Sequence, residues 1–169
     1  ALSYAHSLVI DDSQKGVIHR DISPANLMVD IHGDTKLLDF GIAKKLSSDM
    51  EHTRDVIKGK WAYMSPEQAS GEATDFSCDF YSLAMSVYES YVGEPLIDLS
   101  LAPKALIIEV CDGKPLKRLK EDQEIDPFLK KVLLFCLRDN GERATDGEEI
   151  IARFFSQEQD FFQYRSQLA

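Results

Sequence analysis

The residues of this chain with the most obvious capacity for chemistry fall in three short blocks separated by apolar or polar stretches. The first is His19, Arg20, Asp21, Ile22, Ser23, Pro24, Ala25 and Asn26; the second is Asp39, Phe40 and Gly41; the third is Ser65, Pro66 and Glu67. Carboxylates and carboxamides are the side chains that accept a proton or hold a hard cation through oxygen, and a lysine or serine beside them adds charge or a hydroxyl. Taken one at a time, each tripeptide is equally well explained as a turn or a core element, and proton transfer and cation binding remain open alternatives to a purely structural role.

Taken in order, the blocks are more specific. An H-R-D loop with Asn26 five residues after Asp21, then D-F-G, then a variant of A-P-E, resembles the signature set of protein kinases, and the resemblance runs from Ala1 to about Phe155. It implies transfer of the γ-phosphate of Mg·ATP to a protein hydroxyl, which needs a proton acceptor in line with the phosphate and hard oxygen ligands for Mg²⁺. By that resemblance Asp21 is the proton acceptor and Asn26 and Asp39 are the magnesium ligands. Met28 and Leu38 fall where the family lines the adenine pocket from below, although they also read as strand residues of a small core. His19 and Phe40 fall in an apolar column joining the lobes, Glu67 pairs with Arg143, and Asp79 accepts hydrogen bonds from the catalytic loop, its plainer reading being a helix cap. Ser47, Ser48 and Thr53 are candidate phosphorylation sites with Arg20 as the phosphate partner.

Two substitutions depart from the family pattern. Ser23 stands where Ser/Thr kinases usually have lysine, and Lys60 stands where they usually have threonine before Tyr63-Met64-Ser65-Pro66-Glu67. If hydroxyl and ammonium have traded chain positions, Ser23 and Lys60 both belong to the catalytic group, and the Lys60 ammonium should come within about 4 Å of an Asp21 carboxylate oxygen or the Ser23 hydroxyl. The alternative is a lysine pointing to solvent and a serine filling space. The H-R-D-x-S-P-x-N loop with a Gly-Lys pair before Tyr63 is similar to bacterial eukaryotic-like Ser/Thr kinases. A pseudokinase or scaffold, and a small-molecule phosphotransferase of the aminoglycoside type, are the competing functions. Intact Asp21, Asn26 and Asp39 weigh against the first, and Glu67 with Arg143 against the second.

The elements that must hold these residues follow from periodicity. The first dozen residues read as the end of an amphipathic helix closed by a polar run, and Val17–Ile18, Leu27–Val29 and Thr35–Leu38 read as short strands, the last two joined as a hairpin through His32, Gly33 and Asp34. Residues 41–60 read as a long exposed segment. A helix apolar on nearly all sides spans 79–92, and further helices are expected at 103–112, 127–138 and 146–157. Glu121, Asp122, Glu124 and Asp126 read as a solvated helix entrance, and Phe154, Phe155, Phe161, Phe162 and Tyr164 as core packing of a last helix. The expected fold class is α+β, predominantly α-helical: a kinase-like C-terminal lobe over residues 1–157 with a small β element at the active-site edge, and an extension over 158–169. No Gly-rich phosphate motif stands in these residues, so the N-terminal lobe is expected as a missing partner.

With 19 Lys and Arg against 29 Asp and Glu, the chain carries a formal charge of −10, the wrong sign for neutralising nucleic-acid phosphates or anionic lipid. No apolar run is long enough to span a bilayer. Cys78, Cys111 and Cys136 are odd in number and far apart, which suits reduced thiols and a cytoplasmic setting.

Overall fold

In the computed structural model, residues 1–9, 16–39 and 60–155 are described. Helix α1 (Leu2–Ser7) precedes a 3₁₀ turn (Pro24–Asn26) and the strands β1 (Leu27–Val29) and β2 (Thr35–Leu37). Among the described residues six helices follow: α2 (Pro66–Ser70), α3 (Ser77–Val92), α4 (Pro103–Cys111), α5 (Lys114–Glu121), α6 (Pro127–Cys136) and α7 (Gly147–Phe154). The predominantly helical α+β class expected from sequence is the one observed.

Helix α3 is the axis of the lobe. Its core side chains Phe80, Tyr81, Ala84, Met85 and Tyr88 are all buried, in one cluster with Leu106, Val110, Leu119, Ile125 and Leu133 from the later helices and loops. An all-round apolar surface forces a helix into the middle of a domain. Its buried serines add little polar cost, because Ser82 donates to the Cys78 carbonyl at 3.1 Å and Ser86 to that of Ser82 at 2.8 Å. Gly93, at φ 87°, ends the helix in the left-handed conformation that a side chain resists. Helix α6 packs on α3, α2 on α4, α4 on α5, α5 on α6, and α1 on α7.

The hairpin is antiparallel with Leu27 opposite Leu37, Met28 opposite Lys36 and Val29 opposite Thr35. Its turn is fixed by Asp30, whose carboxylate accepts the backbone N–H groups of His32 at 2.8 Å and Asp34 at 3.0 Å.

Several expectations need correction. Val17–Ile18 is not a strand: Val17 N–H donates to the Ala5 carbonyl at 2.9 Å and Gly16 N–H to that of Leu8 at 2.6 Å, so this stretch closes the end of α1 instead of entering a sheet. Helix α5 has no counterpart among the elements expected from periodicity. Pro115 and Leu119 are its buried face, and lysines and an arginine so dominate the rest that the apolar period is hidden in the sequence. The short α2 likewise has no counterpart among the expected elements, although Ser65 and Gln68 form a capping box at its start. The central helix starts at Ser77, so Asp79 lies in its first turn and is not its cap.

The acidic helix entrance is as expected, with Asp126 accepting Leu129 N–H at 2.8 Å to cap α6. At the last helix, Phe154 meets Phe135 edge-on and Phe155 meets Phe128, with ring centroids 5.7 and 5.2 Å apart, so these two are packed. Phe161, Phe162, Tyr164 and the rest of the expected extension, like residues 41–59, lie outside the described residues.

Candidate active site

The loop that carries His19, Arg20 and Asp21 is held by Asp79, which is fully buried in α3. One carboxylate oxygen accepts His19 N–H at 2.7 Å and the other accepts Arg20 N–H at 2.8 Å. Those two bonds hold Arg20 at φ 62°, a left-handed conformation that residues with a side chain seldom adopt and one that concentrates at functional sites. His6 of α1 donates from Nε2 to the same carboxylate at 2.9 Å, since a carboxylate can only accept. His6 stacks on Phe76 with centroids 4.5 Å apart, and nothing in its local sequence announces this role.

His19 ties the loop to the hairpin. Asp21 N–H donates to its Nδ1 at 3.2 Å, which leaves Nε2 as the donor to the Leu38 carbonyl at 3.0 Å. The imidazole is completely buried, as expected for a core residue; its proposed column partner Phe40 lies outside the described residues.

The hairpin carries the two residues expected to supply oxygen ligands. Asn26 donates its amide N–H to the Asp21 carbonyl at 2.7 Å, which leaves Oδ1 as the free-standing acceptor of that side chain. Leu38 N–H donates to the Asn26 carbonyl at 2.9 Å, so Leu38 lies opposite Asn26 and Asp39 is the next residue along. Asp39 is exposed and sits at φ 52°, a left-handed position that aspartate tolerates. One amide oxygen and one carboxylate on adjacent strand ends fit Mg²⁺, which takes one or two protein carboxylates and leaves its other positions for water and phosphate oxygens. Met28 and Leu38 lie exposed on this hairpin, at 53% and 37% of their surface.

Lys60 reaches the loop from far along the chain. Its ammonium lies 2.5 Å from Asp21 Oδ2, within the distance the exchange with Ser23 requires and far from a solvent-pointing side chain. The following residues anchor it: Ala62 and Tyr63 are buried, and Tyr63 donates its phenol to Glu89 of α3 at 2.5 Å. Burial and that carboxylate acceptor push the phenol well up, so it stays a donor. Gln68 of α2 donates to the Arg20 carbonyl at 3.2 Å, a second tie between this segment and the loop. Ser23 is buried and extended at the entry to the 3₁₀ turn.

Glu67 and Arg143 form the expected pair, with two bonds of 2.7 and 2.8 Å between side chains that are 2% and 0% exposed. Arg143 also donates to the Arg138 carbonyl at 2.6 Å and lies 5.1 Å over the Tyr81 ring. Burial pushes the Glu67 carboxyl up, but the Arg143 guanidinium, helped by a backbone N–H and Ser65, outweighs it and leaves it below its ordinary value. Ser47, Ser48 and Thr53 lie outside the described residues, and the Arg20 side chain meant to meet them is exposed. A cavity of about 470 Å³ touches His6, Phe76 and Asp146, but no candidate catalytic side chain lines it.

A carboxylate in a strained loop, an amide and a second carboxylate on a hairpin edge, and a buried Glu–Arg tie define the C-terminal part of a protein kinase domain. The chain belongs to the protein kinase family, whose domain model matches residues 1–155. It is 35% identical over 163 residues to the tyrosine-protein kinase MasK of Myxococcus xanthus, covering 92% of this chain and 25% of that protein. It is 36% identical over 143 residues to the serine/threonine-protein kinase PknB of Mycolicibacterium smegmatis, covering 83% and 21%. A probable serine/threonine-protein kinase of Clostridium perfringens is 47% identical over 140 residues, covering 82% and 20%. The chain thus resembles bacterial eukaryotic-like kinases and spans a quarter or less of the length of these relatives.

Proposed function

We propose that these residues are the catalytic floor of an ATP-dependent Ser/Thr protein kinase. The observation that carries this reading is the convergence at one hairpin edge of Asp21, Asn26 and Asp39, linked by the Asn26 amide to the Asp21 carbonyl and by Leu38 N–H to the Asn26 carbonyl. Asp21 takes the proton of the attacking hydroxyl as that oxygen bonds to the γ-phosphorus. The bond from phosphorus to the β–γ bridging oxygen breaks, and its electron pair leaves with ADP. Asn26 and Asp39 would hold Mg²⁺, which when bound neutralises charge on the phosphates. Met28 and Leu38 floor the adenine and are covered by the N-terminal lobe. The unpaired thiols Cys78, Cys111 and Cys136 support a reducing, cytoplasmic setting.

Serine or threonine as acceptor rests on the loop pattern and on two of the relatives named above; the tyrosine kinase among them makes the acceptor a point to measure. The test is transfer from γ-labelled ATP to a generic protein substrate by the full-length gene product, followed by phosphoamino-acid analysis. Phosphoserine or phosphothreonine that disappears in Asp21→Ala is expected. Phosphotyrosine would overturn the acceptor assignment, and transfer undiminished in Asp21→Ala would overturn the role of the aspartate. A folded product that binds Mg·ATP without any transfer would favour the scaffold reading.

A further inference from the structure

The Lys60–Asp21 contact carries more than a tie between two segments, and the inference rests on the kinase reading above. Between Asp21 and Asn26 the loop contains no cationic residue, and the position nearest the aspartate with a polar side chain is the buried Ser23. The charge comes instead from Lys60, 39 positions away, with its ammonium 2.5 Å from Asp21 Oδ2. Asp21 is 10% exposed and Lys60 35%, so the carboxylate is sheltered while the lysine stays partly open to solvent. The backbone that delivers it is not loose: Ala62 is fully buried, Tyr63 is bound to Glu89, and Ser65 caps α2.

An anionic carboxylate that must receive a proton beside a triphosphate faces like-charge repulsion, which worsens as charge shifts toward the leaving group. A point charge on a flexible stem can touch the carboxylate at rest and the γ-phosphate oxygens in the transition state. We propose that Lys60 is a catalytic residue that bridges the Asp21 carboxylate and the transferring phosphate, and that the buried Ser23 leaves the space this ammonium occupies. A merely structural ion pair would close the segment onto the loop without contributing to the reacting charges.

The test uses the full-length gene product and compares wild type, Lys60→Met, Lys60→Arg and the double variant Ser23→Lys with Lys60→Thr. Lys60→Met should lower kcat by about 10²-fold, the effect of removing a transition-state donor, with KM for ATP changed far less. Lys60→Arg should retain part of the rate, and the double variant should recover much of it by returning an ammonium from the loop side. A lowered thermal midpoint with unchanged kcat in Lys60→Met, or a double variant no faster than Lys60→Met, would overturn the proposal. If Lys60→Met fails to fold, the double variant and Lys60→Arg decide. A wild type that transfers no phosphate overturns the kinase reading itself, and an active wild type with a near-normal Lys60→Met overturns only the role of Lys60.

Discussion

Asp79 Oδ1 accepts the backbone N–H of Arg20 at 2.8 Å, while Arg20 sits at φ 62°. A buried carboxylate on the central helix therefore sets the backbone of the residue next to the candidate proton acceptor, and its other oxygen does the same for His19.

Asp79→Asn tests that coupling. An amide presents one acceptor and one donor to a place where His19, Arg20 and His6 all donate, so at least one N–H loses its partner. The expected cost is about 1–3 kcal/mol for a buried unsatisfied group. It should appear as a lower urea midpoint with unchanged slope. A variant as stable as wild type would mean that the loop keeps its strained conformation by other means.

The buried pair predicts an asymmetric mutational pattern. Arg143→Met alone leaves Glu67 charged in the core and should cost about 3–5 kcal/mol, whereas Glu67→Leu together with Arg143→Met should recover much of that loss. Urea titrations of the three chains decide it. Equal losses in the single and double variants would show that the pair acts through its outer contacts, such as the Arg143 bond to Arg138.

The same pair sets an acid limb. Because the folded Glu67 carboxyl lies below its ordinary value of 4.5, its contribution is complete above that value and is lost as pH falls through the lower folded one. Denaturation between neutral and strongly acidic pH should show stability falling in that window. In Glu67→Gln this component of the slope should vanish. An unchanged acid limb in Glu67→Gln would assign it to other carboxylates.

The 169-residue chain on its own should transfer no phosphate from labelled ATP, because positioning and electrostatic stabilisation of the phosphates supply nearly all of this catalysis and no Gly-rich phosphate motif stands in these residues. Weak Mg·ATP binding is the most expected. Measurable transfer that Asp21→Ala abolishes would refute this.

Exposed apolar side chains crowd the hairpin: Met28 at 53%, Val29 at 64%, Ile31 at 95% and Leu38 at 37%. Strand alternation puts Met28 and Leu38 on one face of the hairpin and Val29 on the other, and apolar surface left open in this way promotes association. Sedimentation of the isolated chain at tens of micromolar should show self-association that Val29→Thr with Ile31→Lys reduces. A clean monomer that binds no hydrophobic dye would remove this surface from consideration.

The sequence by itself determined the family, through the order of Asp21, Asn26, Asp39, Glu67 and Arg143, and it determined that residues near 79–92 form a helix buried over most of its length. Both are local properties: side-chain type at fixed spacing, and an apolar period that no solvent-facing helix would carry. It also anticipated that Lys60 should approach Asp21, because a missing charge in the loop and a surplus one downstream suggest each other. Tertiary structure alone decided the rest. Val17–Ile18 reads as a strand, yet its backbone is taken by carbonyls of α1. Helix α5 hides its narrow apolar face, Pro115 and Leu119, among charged residues, and only packing against α4 and α6 reveals it. His6 meets Asp79 across 73 positions, and no periodicity of a short helix encodes a partner that distant. Local pattern specifies which way a side chain's own element turns, while the contacts that strain Arg20 and anchor Lys60 exist only once separate elements share one core.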